Sequence, residues 1–255
     1  MHFLPTVSLV LALASAAWAA PTKSKKPSNS LNFPTSNQPT IVMKTAFSVP
    51  AGQVYDGKMR RIDRGQKCTG QKEGGNADAV FLLGEGATLK NVIIGPNQRE
   101  GVHCLGSCTI TNVWWEDVCE DALTFKGDGN GMVYGGGARN AEDKIIQHNG
   151  LGRITISKFQ AENFGKLYRS CGSCKKQGKR EVVMNDITAR TGKVLAGINS
   201  NFGDSATLAN LRVTSDIDIC TRFKAVTKGE PTKIGSGVGG GCRYTESRVE
   251  SLPSV

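Results

Sequence analysis

Beyond residue 20 the sequence has no run of about 18 apolar residues, the length a membrane-crossing helix needs, which excludes a multi-span membrane protein. No segment keeps a 3.6-residue apolar stripe for long, and no basic amphipathic helix suited to a membrane surface can be found. Hairpin dipeptides are too few for a simple meander. Asn-x-Ser/Thr sequons are absent, so N-glycosylation is not expected. Acidic residues are in short supply, 22 against 32 Lys and Arg, leaving a formal charge of +10 that favours polyanionic partners. With 38% of residues hydrophobic and 31 Gly, a disordered or collagen-like chain is excluded too.

The first apolar stretch, Phe3 to Ala20, carries no charged side chain and ends in Ala17-Trp18-Ala19, an A-x-A cleavage pattern. Residues 1–19 are therefore expected to be a signal peptide, and the mature protein secreted, extracellular and soluble. Residues 20–40, rich in Pro, Ser, Asn and Lys with only Leu31 and Phe33 to bury, read as an exposed polar leader. Residues 41–255 suit one domain with a sizeable core. All eight cysteines, Cys68, Cys104, Cys108, Cys119, Cys171, Cys174, Cys220 and Cys242, lie in the mature part, where an oxidising compartment favours disulfides. Their pairing is not readable from the sequence. Secretion weighs against nucleic acid as the polyanion, and no membrane partner is expected. An acidic extracellular polymer is left as the leading partner, bound by a monomer.

From Ile41 onward short runs of Val, Ile, Leu and Thr alternate with Gly, Asn and Asp turns, the pattern of an all-β chain. Leu89-Lys90-Asn91-Val92 resembles Ile110-Thr111-Asn112-Val113, Ile156-Ser157-Lys158-Phe159, Met184-Asn185-Asp186-Ile187 and Leu208-Ala209-Asn210-Leu211, with Met132-Val133-Tyr134-Gly135 as a weaker member. A repeat of about 20–30 residues is the mark of a solenoid. Each unit is too small for a core of its own but stacks into continuous parallel sheets, predicting a right-handed parallel β-helix. A β-sandwich is the rival, and the near-constant period speaks against it.

In such a coil, residues one period apart stack about 4.8 Å from each other. Counting by that period puts Glu100, Asp121, Lys144 and Lys166 on one ladder, acids at one end and bases at the other. Glu120 adjoins Asp121, making three carboxylates around one spot. A Ca²⁺ ion takes about six to eight hard oxygen ligands, so these carboxylates would leave positions open for a carboxylate on a substrate. A solvated acidic turn is the plainer reading of the same residues.

The stretch Gly101-Val102-His103-Cys104-Leu105-Gly106-Ser107-Cys108-Thr109-Ile110-Thr111-Asn112-Val113-Trp114-Trp115-Glu116-Asp117-Val118-Cys119-Glu120-Asp121-Ala122 closely resembles the signature of secreted pectate lyases of polysaccharide lyase family 3. The likeness continues through Glu142-Asp143-Lys144-Ile145-Ile146-Gln147-His148-Asn149 and Phe164-Gly165-Lys166-Leu167-Tyr168-Arg169, from about Ile41 to Phe223. The resemblance implies a compact right-handed parallel β-helix that cleaves de-esterified homogalacturonan (polygalacturonate) by Ca²⁺-dependent β-elimination. Carried over residue by residue, it puts the calcium carboxylates on Glu100, Glu120 and Asp121, the basic catalytic cluster on Lys144, Lys166 and Arg169, and a substrate-holding role on Lys126. The relatives' pattern has Asp immediately before Gly-Val-His-Cys where this chain has Glu100, whose longer arm would move the metal or weaken its binding.

β-Elimination removes the C5 proton beside the carboxylate and expels the C4 oxygen, consuming no water. The developing enolate-like charge needs cationic neighbours. Lys144 is the expected base, with Ca²⁺, Lys166 and Arg169 expected to lower its pKa; the alternative is an ordinary exposed lysine. Arg169 is the rival base, against its very high reference pKa. Two other function classes stay open at this point: a non-catalytic polyanion-binding solenoid, and a glycoside hydrolase using Glu116 and Asp117 as its carboxylate pair. Trp114 and Trp115 are expected on opposite faces of a strand, one in the core and one outside, where core packing is favoured over sugar stacking. His103 is expected to be structural rather than half of a Cys-His pair. Cys171-Gly172-Ser173-Cys174 reads as a loop staple, and Gly235-Ser236-Gly237-Val238-Gly239-Gly240, which opens no helix, is not a dinucleotide site.

Overall fold

The computed structural model describes Met1 and residues 31–253. The expected signal peptide lies outside the described residues apart from Met1. In chain order the strands are β1 (Ile41–Val42), β2 (Phe47–Val49), β3 (Val54–Asp63), β4 (Ala79–Leu83), β5 (Ala87–Ile94), β6 (Glu100–Cys104), β7 (Cys108–Trp115), β8 (Asp121–Phe125), β9 (Gly131–His148), β10 (Gly152–Ser170), β11 (Arg180–Asn199), β12 (Ser205–Thr214), β13 (Asp218–Lys224), β14 (Thr232–Ser236), β15 (Cys242–Arg243) and β16 (Val249–Leu252).

They form a right-handed parallel β-helix. One row of pairings runs β1-β3-β5-β7-β9-β10-β11-β12-β15, and a second runs β2-β4-β6-β8 into β9, with β13 continuing it beside β11. The paired strands are parallel except for β13 with β14, which removes the sandwich. Among the described residues no helix is long and apolar enough to cross a membrane.

The repeat seen in the sequence is the stacking register itself. Leu89 stands opposite Ile110, Ile110 opposite Val133, Val133 opposite Ile156, Ile156 opposite Met184 and Met184 opposite Leu208, each of them buried. The weaker member is therefore one residue later than the sequence suggests: Val133, not Met132, fills the core position, and Met132 is half exposed. A one-residue slip turns every side chain to the other face, so the pairing tolerates no other choice.

Two residues further along each repeat the chain turns a corner in left-handed backbone, at Asn91, Asn112, Gly135, Lys158, Asp186 and Asn210, with φ between 51° and 66°. Asn, Asp and Gly bear this conformation best. Their amides also stack: Asn112 donates to Asn91 at 2.9 Å across 21 residues of sequence, and Asn91 to Asp56 at 3.1 Å. The corner divides each first-row strand into two faces, and the second row makes the third face. On that third face Val102, Leu123, Ile146, Tyr168, Ala196 and Cys220 form the inner stack.

All eight cysteines are paired, as Cys68–Cys119, Cys104–Cys108, Cys171–Cys174 and Cys220–Cys242. Cys171–Cys174 is thus a staple within one loop. Trp115 fills the interior, while Trp114 lies outward under Phe33, whose ring meets it edge-on at 5.1 Å and is covered in turn by Arg139 at 4.8 Å. Neither indole is open to a sugar. Phe33 and Pro34 are half-buried, so the described part of the leader is not exposed throughout, because the apolar outer surface around Trp114 takes Phe33 as its cover.

Candidate active site

The charge ladder forms on the third face. The β6–β8 register, Val102 opposite Leu123, sets Glu100 beside Asp121; Asp121 pairs with Lys144, and Lys144 with Lys166. Glu100, at the first residue of β6, and Asp121, at the first of β8, are both about 1% exposed. Gly101 makes this close stacking feasible: a Cβ there would lie 2.0 Å from the Ala122 carbonyl oxygen and 2.7 Å from Trp115 Nε1.

The tightest acidic group differs from the expected trio. Glu73, Glu100 and Glu120 bring one oxygen each to within 4.8 Å of one another, and Glu73 was not anticipated. It comes from the long loop between β3 and β4, which falls outside the coil period. The Cys68–Cys119 disulfide ties that loop to the residue before Glu120, and Gln71 donates to the Cys119 carbonyl at 2.6 Å. The Gly74 N–H donates to Glu100 Oε1 at 2.7 Å, while Glu100 Oε2 sits 3.2 Å from Nε2 of the buried His103, whose Nδ1 meets Asn76 Oδ1 at 3.0 Å. His103 is structural, as expected.

Asp121 sits beside this group, on Lys144. Lys144 Nζ lies 3.4 Å from Glu120 Oε1, 3.4 Å from Asp121 Oδ1 and 2.6 Å from Asp143 Oδ2. The other Asp143 oxygen accepts from Lys166 Nζ at 2.6 Å. Lys126, just past β8, is half-buried with its Nζ 3.9 Å from Glu73 Oε1.

Arg169 is buried apart from this bridge. Its Nη1 donates to the Ser170 carbonyl and to Asn199 Oδ1 at 2.7 Å, and its guanidinium lies 4.0 Å over the Phe223 ring. Its Nη2 has no hydrogen-bond partner among the described residues. Gly197, opposite Arg169 on β11, leaves room for the arginine stem, since a Cβ there would reach Arg169 Cδ at 3.0 Å. Glu116 is held by Arg61 through two bonds of 2.6 and 2.7 Å, which occupies one half of the hydrolase pair considered from sequence.

The electrostatics reverse one expectation. Burial pulls the Lys144 ammonium down, but the charges of Asp121, Asp143 and Glu120 outweigh burial and hold its pKa above the ordinary lysine value. The expected lowering fails because carboxylates, not cations, crowd it. Burial pushes Asp121 well above the carboxylate range, and pushes Glu120 up to about 7, with Glu100 and Glu73 adding to both rises and Lys144 opposing them. More acids than bases share this spot, so the lysine keeps its proton and the deficit of charge falls on the acids. Burial resists the ionisation of Asp143, yet its bonds to Lys144 and Lys166 keep it below the ordinary aspartate value. Burial, aided by the charge of Arg180 and opposed by Asp204, lowers Arg169 to about 10.

Three buried carboxylate oxygens, Glu120 Oε2 and both of Asp121, accept no hydrogen bond among the described residues. An unsatisfied buried acceptor is costly. Carboxylate oxygens that converge with acceptor capacity left unused suit a hard cation.

The family model described as Pectate lyase matches residues 30–230. Probable pectate lyase E of Neosartorya fischeri is 56% identical over 196 residues, covering 75% of this chain and 77% of its own length, and pectate lyase H of Emericella nidulans is 48% identical over 252 residues, covering 97% and 96%. The chain belongs to the pectate lyase family. Among solved pectate lyases, the catalytic domain of PelI from Erwinia chrysanthemi is 32% identical with a TM-score of 0.65 over 80% of this chain and all of that one. PelI in complex with tetragalacturonic acid is 31% identical, with a TM-score of 0.68 over 80% and 69%. Pectate lyase activity is thereby assigned, and the non-catalytic and hydrolase readings give way to it.

Proposed function

We propose that the chain cleaves de-esterified homogalacturonan by Ca²⁺-dependent β-elimination to give 4,5-unsaturated oligogalacturonides, and that it is secreted, with residues 1–19 as signal peptide. What carries the reading is the ladder that puts carboxylates with unsatisfied buried oxygens one coil from Lys144 and two from Lys166. A substrate carboxylate has a place at one end of it and a proton acceptor at the other. The tetragalacturonic acid bound by the related PelI supports the substrate class, and four disulfides support an oxidising compartment.

Glu100, Glu120, Asp121 and the unanticipated Glu73 would hold the ion. When bound, Ca²⁺ supplies positive charge that neutralises a substrate carboxylate and the Glu120 and Asp121 charges now holding Lys144 in its protonated form. Lys144 takes the C5 proton, the C5–H electron pair becomes the C4–C5 double bond, and the C4–O bond breaks; the departing oxygen gains a proton from solvent and Lys144 later returns one to solvent, so no water is consumed. Lys166 and Lys126 hold substrate carboxylates as point charges. Arg169, the third member of the basic cluster, stands apart from the Lys144–Asp143–Lys166 bridge, held by Asn199 and the Ser170 carbonyl.

Arg169 as base is the second reading, favoured by its lowered pKa and partnerless Nη2. One assay separates them: ultraviolet absorbance of unsaturated product from polygalacturonate at alkaline pH, with Ca²⁺ or chelator, for wild type, Lys144→Ala and Arg169→Ala. Calcium-dependent product, with kcat about 10²–10⁴-fold lower in Lys144→Ala, is the expected result. A loss confined to Arg169→Ala hands it the base role, and chelator-insensitive turnover removes calcium from the mechanism.

A further inference from the structure

The basic half of the ladder has a feature that the coil repeat alone does not supply. Ala141 pairs with Phe164, but the next partners are Lys144 and Lys166. Two residues of β9, Glu142 and Asp143, therefore oppose the single Gly165 of β10. Such a bulge re-aims side chains and breaks the alternation of faces. In a regular strand Asp143 and Lys144 would point to opposite sides; here the Asp143 carboxylate reaches both Lys144 and Lys166 at 2.6 Å. Gly165 makes the bulge possible, because a Cβ there would lie 2.4 Å from the Asp143 carbonyl oxygen and 2.7 Å from that of Glu142.

Two ammonium groups one coil apart repel each other, and an anion between them offsets this. Asp143 also competes for Lys144. Glu120 and Asp121 offer it acceptors at 3.4 Å, whereas Asp143 binds it at 2.6 Å. Without that competitor the ammonium has a shorter path onto the two carboxylates that would hold the cation, where it would act as an internal counter-ion.

We propose that Asp143 is a positioning residue that ties Lys144 to Lys166 and keeps its ammonium from closing further on the Glu120–Asp121 carboxylates, which it meets at 3.4 Å, a role that rests on the lyase reading given above. Asp143 touches neither of those carboxylates and acts through Lys144.

The test is calorimetric titration of CaCl₂ into wild type, Asp143→Asn, Lys144→Ala and the double variant, alongside kcat and KM on polygalacturonate. Asp143→Asn is expected to weaken calcium binding roughly tenfold and to lower kcat about tenfold to a hundredfold with KM little changed. In the Lys144→Ala background the same substitution should leave calcium affinity unaltered. Asp143→Glu should recover most of the affinity by keeping the charge. If Asp143→Asn fails to fold, Asp143→Ser takes its place. Wild-type calcium affinity and kcat in a folded variant overturn the proposal, as does an equal loss of affinity with and without Lys144, which marks a distant charge effect. Lys144→Ala with wild-type turnover sinks the base reading and this role with it; an inactive Lys144→Ala beside an unaffected Asp143→Asn sinks this role alone.

Discussion

The asparagine corner and the charge ladder are products of the same stacking, one coil apart in every case, yet they are finished differently. At the corner the amides find neighbours: Asn112 donates to Asn91 and accepts from Trp114 Nε1 at 2.8 Å, and Asn210 donates to Asn185; a second left-handed turn repeats the pairing, with Asn163 donating to Asn140. On the third face acid stacks on acid and base on base with one ion pair between them, and among the described residues three buried carboxylate oxygens accept no hydrogen bond. The corner is a structural device with its hydrogen bonds closed; the ladder is held short of closure by the core beneath it. Local rules broken at one place and kept elsewhere mark a working site.

The difference is broken most severely at the glycine that lets the ladder stack. Gly101→Ala puts a methyl 2.0 Å from the Ala122 carbonyl and against the Trp115 indole, neither of which can yield without moving the core. The expected outcome is a loss of more than about 4 kcal/mol or no folded protein, checked by expression and thermal unfolding. A soluble variant with wild-type Tm would show that the third face is looser than its packing implies.

At the corner, Asn112→Ala removes three side-chain bonds, with Asn91, Trp114 and the Met59 sulfur, and places a residue poorly suited to φ 52°. About 2–3 kcal/mol of stability should go, with kcat and calcium dependence unchanged. A variant that kept its stability but lost activity would reverse the contrast between the two regions.

Much of this was legible in the sequence, and the reason is periodicity. Glu100, Asp121, Lys144 and Lys166 could be aligned by counting because their spacings of 21, 23 and 22 residues stay close to one period despite the bulge, and Asn at the corner marked the phase. Met132 was misjudged because Gly135 stands where Asn stands elsewhere, so hydrophobicity alone chose between Met132 and Val133. Glu73 was illegible: its loop obeys no coil register, and what anchors it is a disulfide whose partner cannot be inferred from spacing. Asp143 was hidden by the bulge, since alternation assigns it to the wrong face. The pKa of Lys144 was misjudged for the same reason, because its nearest carboxylate is the one the bulge delivers.

A pH-dependent effect distinguishes neutral from charged burial. His148 is fully buried against Tyr168 OH at 2.8 Å, and burial, with the Arg180 charge, pushes its imidazole down to about 3. The unfolded chain takes up this proton near pH 6.5, while the folded one refuses it until about pH 3. Stability contributed by the neutral ring is thus full above pH 6.5 and is lost as pH falls through that window, by about 1.4 kcal/mol per pH unit. Denaturant midpoints between pH 7 and pH 4 should show this slope, and His148→Gln should flatten it. An unchanged slope in the variant would assign the acid sensitivity elsewhere.

The least perturbing change sharpens the comparison best. Asp121→Asn keeps the shape of a buried side chain, removes a charge that burial disfavours, and supplies an amide that can donate to a neighbouring carboxylate such as Glu120. It moves the ladder toward the closed state of the asparagine corner. Lys144 keeps Asp143 and Glu120 as counter-ions, so no new unpaired charge is left behind. Calcium-free protein should therefore gain about 1 kcal/mol, a rise of roughly 2–4 °C in Tm, while the further rise on adding CaCl₂ shrinks or disappears. Lower calcium-free stability in this variant would mean that Asp121 is already satisfied in the folded chain, and that the unsatisfied oxygens on the third face do not store the instability a bound cation would relieve.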